Sequence, residues 1–282
     1  MPVSIEWERS LSISIVIYDT PLENFERNLV KALSAVKYLE KNQSPVQWTY
    51  IYIINNSKIP LADQLAPRID KDLKRVKCSF FVLEGHGNIG YGSAQNLVLA
   101  EAVGEVHVFM NPDVVLAEDS LAQGLKYLDK EHDVVALSPK CSDLQNNKQP
   151  LCKRYPSIFD LFVRGFFSEK LRKVFNKRLS NYEMRDLSDS YPSHEIPIIS
   201  GCFMMCRSKA VFKVGGFDPK YFLYFEDFDL SLRLREVGRL AYVPTVSIIH
   251  TGGNASKKGL RHIMLFVKSA IKFFNTYGWK WT

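Results

Sequence analysis

Several features are scarce in this chain, and each absence excludes something. It has five cysteines, Cys78, Cys141, Cys152, Cys202 and Cys206, an odd number with no Cys-x-x-Cys pair. That argues against a disulfide framework and a structural zinc site, and for a reducing, cytoplasmic setting. The apolar runs fall well short of the roughly 20 residues that cross a bilayer. Met1–Ser10 carries Glu6, Glu8 and Arg9 without an apolar stretch, so no signal peptide is expected there. There is no internal repeat, low-complexity tract or linker to divide the chain. After Asp229 the only acid is Glu236. What remains is an ordinary globular balance, 46% hydrophobic and 24% charged over 282 residues, enough to bury a sizeable core.

The first half alternates strand and helix. Leu11–Tyr18, Tyr50–Ile54, Cys78–Leu83 and Val106–Met110 read as short buried strands, and Val134–Leu137 as a fifth. Thr20, Pro21 and Glu23 have the spacing of a capping box with proline at the first helical position. Leu22, Phe25, Leu29, Leu33, Val36 and Leu39 then recur at helical spacing, and Leu121, Leu125 and Leu128 mark a later helix. This rhythm predicts an α/β fold with a mostly parallel sheet and right-handed crossovers. It breaks between about Asp143 and Glu195 and resumes at Ile196–Met205.

The richest stretch is Gly215–Leu234, GGFDPKYFLYFEDFDLSLRL. Glu226, Asp227 and Asp229 crowd together behind Tyr221, Phe222, Tyr224 and Phe225. Burial and like-charge repulsion raise carboxylate pKa values, which is how a protein makes a general base. Acids also favour a helix N-terminus for its dipole alone, and both readings stand at this point. Three further motifs bear on the choice. Asn111-Pro112-Asp113 follows the strand Val106–Met110, where α/β sheets bind ligands and a carboxylate suits a hard cation; it is also an ordinary turn. Asn88-Ile89-Gly90-Tyr91-Gly92, running on to Asn96, is a glycine-rich strand-to-helix turn that allows close approach of backbone to an anion. His250 ends the apolar run Val246–Ile249 ahead of Thr251-Gly252-Gly253.

In this order, with Ile53-Ile54-Asn55-Asn56-Ser57 and Gly201-Cys202-Phe203-Met204, these elements resemble the inverting family 2 glycosyltransferases of the GT-A fold. They are most similar to the bacterial rhamnosyltransferase branch that builds cell-surface polysaccharides of the O-antigen or capsule type. The resemblance runs from about Leu11 to His250. It implies a nucleotide-sugar donor, dTDP-rhamnose by the Asn-Pro-Asp and Glu-Asp-Phe-Asp forms. The implied acceptor is a saccharide or a polyprenyl-diphosphate-linked saccharide. It implies Mg2+ or Mn2+ held by Asp113 and His250, and Asp227 as general base with Glu226 as runner-up. Tyr18, Asp19, Asn55, Asn56, Asn88, Gly90, Tyr91, Asn96 and Asn111 fall on its donor side, with Lys257, Lys258 and Arg261 as a mobile lid. Gly201, Cys202 and Asp229 fall on its acceptor side. Relatives usually carry aspartate where Asn55 stands. Asparagine can still accept the pyrimidine N3–H through its carbonyl oxygen, without charge assistance, and Asp19 can replace the missing carboxylate. The Gln-x-x-Arg-Trp signature of processive relatives is absent, favouring addition of one or a few sugars. UDP-dependent glucosyl- and galactosyltransferases share the scaffold and stay open as alternatives.

The implied domain plan is one GT-A domain over 1–255. A nucleotide-sugar half of about 10–115 precedes an acceptor half of 116–255, which includes an insertion at about 143–195. A basic amphipathic extension follows at 256–282. The net charge of +7 concentrates in Lys153–Arg185 and Lys257–Trp281, interleaved with Phe, Leu and Trp. That pattern suits an anionic membrane surface, and a peripheral position on the inner face of the plasma membrane is expected. It also suits a solvated helix packed by its apolar face. Nucleic acid is not expected, because it would leave the carboxylates unexplained. A nucleotidyltransferase would place glycines and a base after the first strand, where Asp19–Glu23 has neither. A non-catalytic scaffold of the same fold is disfavoured by intact Asp113, Asp227 and His250.

Overall fold

A computed structural model of the chain describes residues 10–42, 46–100, 104–252 and 259–282. The sheet begins with β1 (Ser10–Ile17), whose period of two is visible in its packing. Leu11, Ile13, Ile15 and Ile17 enter the main core under helix α1 (Leu22–Lys41), which presents Phe25, Leu29, Leu33, Val36 and Leu39. Ser12 and Ser14 point the other way and hold the fully buried His107 ring between their hydroxyls, at 2.6 Å and 2.7 Å. Burial pushes that imidazole down to about 3, so it stays neutral inside the sheet.

The remaining elements follow as β2 (Trp48–Asn55), α2 (Ala62–Leu73), β3 (Cys78–Leu83), α3 (Tyr91–Ala100), β4 (Val106–Met110), β5 (Val114–Leu116), α4 (Ser120–Lys130), β6 (Val134–Ser142) and β7 (Cys152–Lys153). Then come α5 (Ile158–Phe166), α6 (Glu169–Val174), α7 (Asn176–Tyr182), β8 (Ile198–Ile199), β9 (Phe203–Arg207), α8 (Ser208–Lys213), α9 (Glu226–Leu234), β10 (Arg239–His250) and α10 (Gly259–Tyr277). The main sheet has the order β3-β2-β1-β4-β9-β6-β10-β5. The expected parallel pairing holds for β3-β2-β1-β4 and for β6-β10, whereas β9 runs against both its neighbours and β5 against β10. The architecture is a mixed α/β sheet with helices on its faces.

One local expectation is corrected, and another region gains detail. The box at Thr20 does not form: α1 starts at Leu22 with Pro21 in the capping position, and the Thr20 hydroxyl turns to Tyr18 O at 3.4 Å. A capping box occurs instead in the insertion, where Ser157 and Asp160 exchange bonds at the start of α5. At Ile196–Met205, where the rhythm resumes, the chain forms two strands. These are β8, paired with β7 in a small ribbon, and β9 in the main sheet, with a turn at Gly201 between them.

Helix α10 covers α9 and the segment before it. Phe273 and Phe274 are buried with Tyr221, Phe225, Leu161 and Tyr182. Ser269 Oγ donates to Leu223 O at 2.8 Å, and Lys272 Nζ reaches Asp218 Oδ2 at 2.5 Å. Beyond the helix, the carbonyls of Lys280 and Trp281 accept from the first amides of α5. Part of the C-terminal aromatic tract is therefore core. The opposite face stays open, with Leu260, Met264, Val267 and Ile271 exposed, as are Trp279 and Trp281 just beyond. Among the described residues no helix is long and apolar enough to cross a membrane. Truncating the Phe273 side chain leaves a cavity between α10 and α9. We expect Phe273→Ala to lower unfolding free energy by about 3–5 kcal/mol in denaturant titrations, whereas an α10 that merely decorates the surface would give a change within about 0.5 kcal/mol.

Candidate active site

The C-terminal ends of β1, β2 and β4 lie side by side, because β1 pairs in parallel with both others. They bring Tyr18, Asp19, Asn55, Asn56 and Asn111–Asp113 to one edge of the sheet. Tyr18 is half exposed, and Asp19 takes a positive φ of 48° as the chain leaves the strand. Asn56 is buried. Its amide donates to Gly90 O at 3.1 Å, and its Oδ1 has no hydrogen-bond partner among the described residues. Asn88 Oδ1 accepts from Gly90 N at 3.1 Å, closing the turn ahead of α3. Gly90 sits at φ 88°, where an added Cβ would lie 2.3 Å from Phe222 O. Only glycine lets this turn press against the segment that leads into α9.

That segment carries the carboxylates. Tyr224 and Phe225 hold φ of 70° and 66°, left-handed values unusual for bulky side chains. Glu226 then opens α9, buried, with its Oε2 unpartnered among the described residues. Burial first, then the neighbouring Asp227 charge, pushes its carboxyl up to about 8. Asp227 is raised by burial too, but the Gly201 and Phe228 amides and the Lys153 charge oppose the rise. Its Oδ2 accepts from Gly201 N at 2.8 Å and its Oδ1 from Phe228 N at 3.0 Å. An added Cβ on Gly201 would stand 3.2 Å from Asp227 Cβ, so a side chain there would press on the carboxylate. Tyr91 OH donates to Gly201 O at 2.8 Å, joining the glycine-rich turn to the same point. Burial thus holds both carboxyls above the usual carboxylate range, while the two amides on Asp227 favour its charged form. A carboxyl of raised pKa beside a carboxylate held by amides is suited to removing a proton from a bound hydroxyl.

Asp113 and His250 also meet. His250 Nε2 lies 3.2 Å from Asp113 Oδ2. Gln149 Oε1 lies 3.0 Å from His250 Nδ1 and orients the ring so that Nε2 faces the carboxylate. An added Cβ on Gly252 would fall 1.8 Å from Asp113 Oδ2, so the absence of a side chain there keeps the carboxylate accessible. One carboxylate and one imidazole converging on a point fit a divalent cation that takes its other oxygens from a ligand and water. No cluster of three such groups occurs among the described residues.

Other expected site residues are used differently. Asn55 is buried, and both ends of its amide are engaged. Its Oδ1 accepts from Ser57 N and Oγ at 3.0 Å and 2.6 Å; its Nδ2 donates to Ile59 O at 2.8 Å and Glu84 Oε2 at 3.1 Å. It shapes the turn after β2 and offers no free oxygen to a base, whereas the neighbouring Asn56 does. Asn96 is taken by the Phe217 backbone, accepting from its N at 2.9 Å and donating to its O at 2.7 Å, so it clamps α3 to the Gly216 turn instead of facing a donor. Asp229 is buried, with Oδ2 on Arg233 at 2.5 Å and Oδ1 on Tyr277 at 2.8 Å. Those two partners tie α9 to α10 and remove it from the acceptor side. Cys202 is buried, its thiol pushed well up by burial, and its carbonyl accepts from Asn111 N at 2.9 Å. Arg261 lies exposed in the first turn of α10, and Lys257 and Lys258 lie outside the described residues.

The structure adds residues that carried no motif. Gln149, Tyr182 and Lys153 come from the insertion or its edges. Glu84 follows β3: burial raises its carboxyl, yet the Leu61 amide and Asn55 outweigh that and hold it low. Lysines in an aromatic stretch read as surface, and no sequence signal marks Lys153 as buried.

The family model described as "Glycosyl transferase family 2" matches residues 12–215, more than half of the chain. An N-acetylglucosaminyl-diphospho-decaprenol L-rhamnosyltransferase of Mycobacterium tuberculosis is 31% identical over 180 residues, covering 58% of this chain and 56% of that protein. Rhamnosyltransferase WbbL of Escherichia coli is 27% identical over 175 residues, covering 58% and 61%. This chain thus matches less than two thirds of either relative's length. Among solved structures, GalNAc-T7 with UDP, GalNAc and Mn2+ has a TM-score of 0.61 at 14% identity, covering 96% of this chain and 48% of that one. The mannosyltransferase PcManGT of Pyrobaculum calidifontis, with GDP-Man and Mn2+, has a TM-score of 0.60 at 15% identity, covering 95% and 65%. At these identities the structural likeness is one of fold, and the fold is GT-A.

The carboxylate pair has a consequence for stability. Glu226 is protonated in the folded chain up to about 8 and ionises near 4.5 when free. Between these values the folded state holds the extra proton, so stability falls as pH rises through the window. Glu226→Gln removes that dependence. Its melting temperature should equal the parent's below the window and exceed it increasingly toward the upper end; parallel curves at every pH would contradict a buried, protonated Glu226.

Proposed function

Because the chain belongs to glycosyl transferase family 2, we propose that it is an inverting transferase of a nucleotide-activated sugar, with dTDP-rhamnose as donor. The acceptor is a saccharide or a lipid-diphosphate-linked saccharide in cell-surface polysaccharide synthesis. The observation that carries this reading is Asp227, a carboxylate held by the Gly201 amide beside a protonated Glu226. The acceptor oxygen bonds to the anomeric carbon as the carbon–oxygen bond to the nucleoside diphosphate breaks. Asp227 receives the hydroxyl proton. Attack from the face opposite the leaving group inverts the centre in one displacement, and no protein nucleophile is needed.

Asp113 and His250 would hold the Mg2+ or Mn2+. Bound there, the cation neutralises the charge that develops on the leaving diphosphate. Asn56 Oδ1, buried and open, is suited to accept the pyrimidine N3–H, with Tyr18 and Asp19 at the rim of the same edge. The rhamnosyl donor is supported by both rhamnosyltransferase relatives, and the lipid-linked acceptor by the name of the Mycobacterium tuberculosis one.

Asp227→Asn should lower turnover by about 100-fold or more while donor affinity stays within a factor of about two. The assay is transfer at saturating donor, with calorimetry against dTDP-, UDP- and GDP-sugars with and without Mg2+ or Mn2+. The dTDP-sugar should bind most tightly and only with metal. Near-normal turnover of the variant would remove Asp227 from the role of base, and a winning UDP-hexose would replace the donor.

Helices α5, α6 and α10 expose the apolar side chains Phe162, Phe166, Leu171, Val174, Leu260 and Met264, with Lys170, Arg172, Lys173, Lys177 and Lys268 on or next to the same helices. We read these helices as the part that adsorbs to an anionic membrane carrying the acceptor, each engaged cation adding about 1 kcal/mol. Co-sedimentation with anionic vesicles should weaken in high salt. Equal recovery with neutral and anionic vesicles, or none with either, would refute the adsorption.

A further inference from the structure

The insertion gathers more positive charge beside the carboxylate pair than its own acids balance. Lys153 is 5% exposed, on the β7 strand that pairs with Ile198 of β8, just before the Gly201 turn that holds Asp227. Leu151 O accepts from Ser200 N at 2.8 Å, and Ser231 Oγ bonds both N and O of Ile199. The ribbon, the turn and α9 are thus one assembly. Glu183 stands beside Lys153 and binds two further cations, Arg164 Nε at 3.1 Å and Arg185 NH2 at 2.5 Å. Three cations meet Glu183, with Asp227 as a second carboxylate within electrostatic reach of Lys153. Of the three Lys153 ammonium protons, the structure gives one an acceptor, Pro150 O at 2.5 Å. The Tyr182 hydroxyl, on a residue 2% exposed and within electrostatic reach of Arg164, Glu183 and Asp227, has no hydrogen-bond partner among the described residues. Arg164 and Arg185 open this cluster to solvent, their side chains 48% and 40% exposed.

A buried lysine with two half-exposed arginines beside it, and an orphaned hydroxyl donor, suit an anion rich in acceptor oxygens. We infer that Lys153, Arg164, Arg185 and Tyr182 form a subsite for a phosphate or diphosphate group carried by the acceptor, beside the carboxylate pair and separate from the donor's diphosphate at Asp113. This deepens the proposed function and rests on it for the identity of the acceptor. Glu183 keeps the two guanidiniums on station without neutralising all three charges. In the empty site burial first, then the Arg164 charge, lowers Lys153 to about 7 against the raising influence of Glu183, Cys152 and Asp227. An incoming anion favours the charged amine, so its binding near neutral pH takes up a proton.

Two measurements separate the subsite from the function. Inorganic pyrophosphate is titrated calorimetrically in EDTA, in buffers of different ionisation heat. Proton uptake is expected near neutral pH, lost in Lys153→Met, with affinity falling about 10-fold in Arg164→Gln/Arg185→Gln. The arginine pair is solvent-exposed, so its replacement tests the subsite even if Lys153→Met does not fold. Binding indifferent to both variants overturns the proposal. This titration needs no turnover, so failure of the wild type to glycosylate any acceptor counts against the functional reading alone. The second measurement compares KM for a short-alkyl diphosphate-linked sugar with KM for the phosphate-free alkyl glycoside. The diphosphate acceptor should have a KM about 10-fold lower, and the arginine variant should erase that advantage with kcat little altered. Equal KM values in the wild type, together with displacement of pyrophosphate by phosphatidylglycerol vesicles, would assign the cluster to lipid head groups and overturn the acceptor assignment.

Discussion

Tyr224 and Phe225 both occupy the left-handed backbone region immediately before α9, and the geometry of the carboxylate pair follows from that constraint. Such a conformation costs about 1–3 kcal/mol for each non-glycine residue and persists only where the surroundings over-determine it. Here Phe225 is packed by Phe228, Phe266 and Phe273 with ring centroids 5.2 Å away, and the Tyr224 hydroxyl lies 3.0 Å from His262 Nδ1. No side chain caps the helix. The tight turn delivers Glu226 into a buried position and Asp227 onto the Gly201 amide. The aromatic packing of α10 therefore fixes the backbone turn that places the carboxylate pair.

The first turn of α9 also shows how one local sequence yields three different carboxylates. All three acids gain from the helix N-terminus, so that term does not separate them. Glu226 finds no donor for Oε2 and keeps its proton. Asp227 finds two backbone amides, which favour its charged form against the rise that burial imposes. Asp229 finds Arg233 and Tyr277 and becomes an ion-paired strut. Partners supplied from the β8–β9 turn, α9 itself and α10 set the three environments apart.

This explains what the sequence could and could not disclose. Strands such as Val106–Met110 were legible because a run of apolar side chains buried on both faces has few other uses, and α1 because its apolar stripe repeats at helical spacing. Asp113 with His250, and Gly201 with Asp227, were legible as motif members, and the fold brings each pair together. Asn55, Asn96 and Asp229 belonged to the same motifs, but their hydrogen-bonding capacity is absorbed by a turn, by the Phe217 backbone and by Tyr277. The break between β8 and β9 depends on contact between Gly201 and a residue far along the chain, which no local pattern encodes. Lys153 was read with the exposed lysines around it because burial of a cation is a property of packing.

The order in which the chain is made adds one more consequence. The residues shared with the family model end at 215, ahead of both members of the carboxylate pair. The cover over Phe225 and the second partner of Asp229 come from α10, near the far end of the described chain. The strand ends at Asn55 and Asp113 are thus synthesised first, then the carboxylate pair, then His250 at the end of β10, and the cover of α10 last. A chain cut before α10 would keep every one of these groups yet lose the packing over Phe225 and the Tyr277 bond to Asp229, so the left-handed turn ahead of α9 would be the first part of the site to relax.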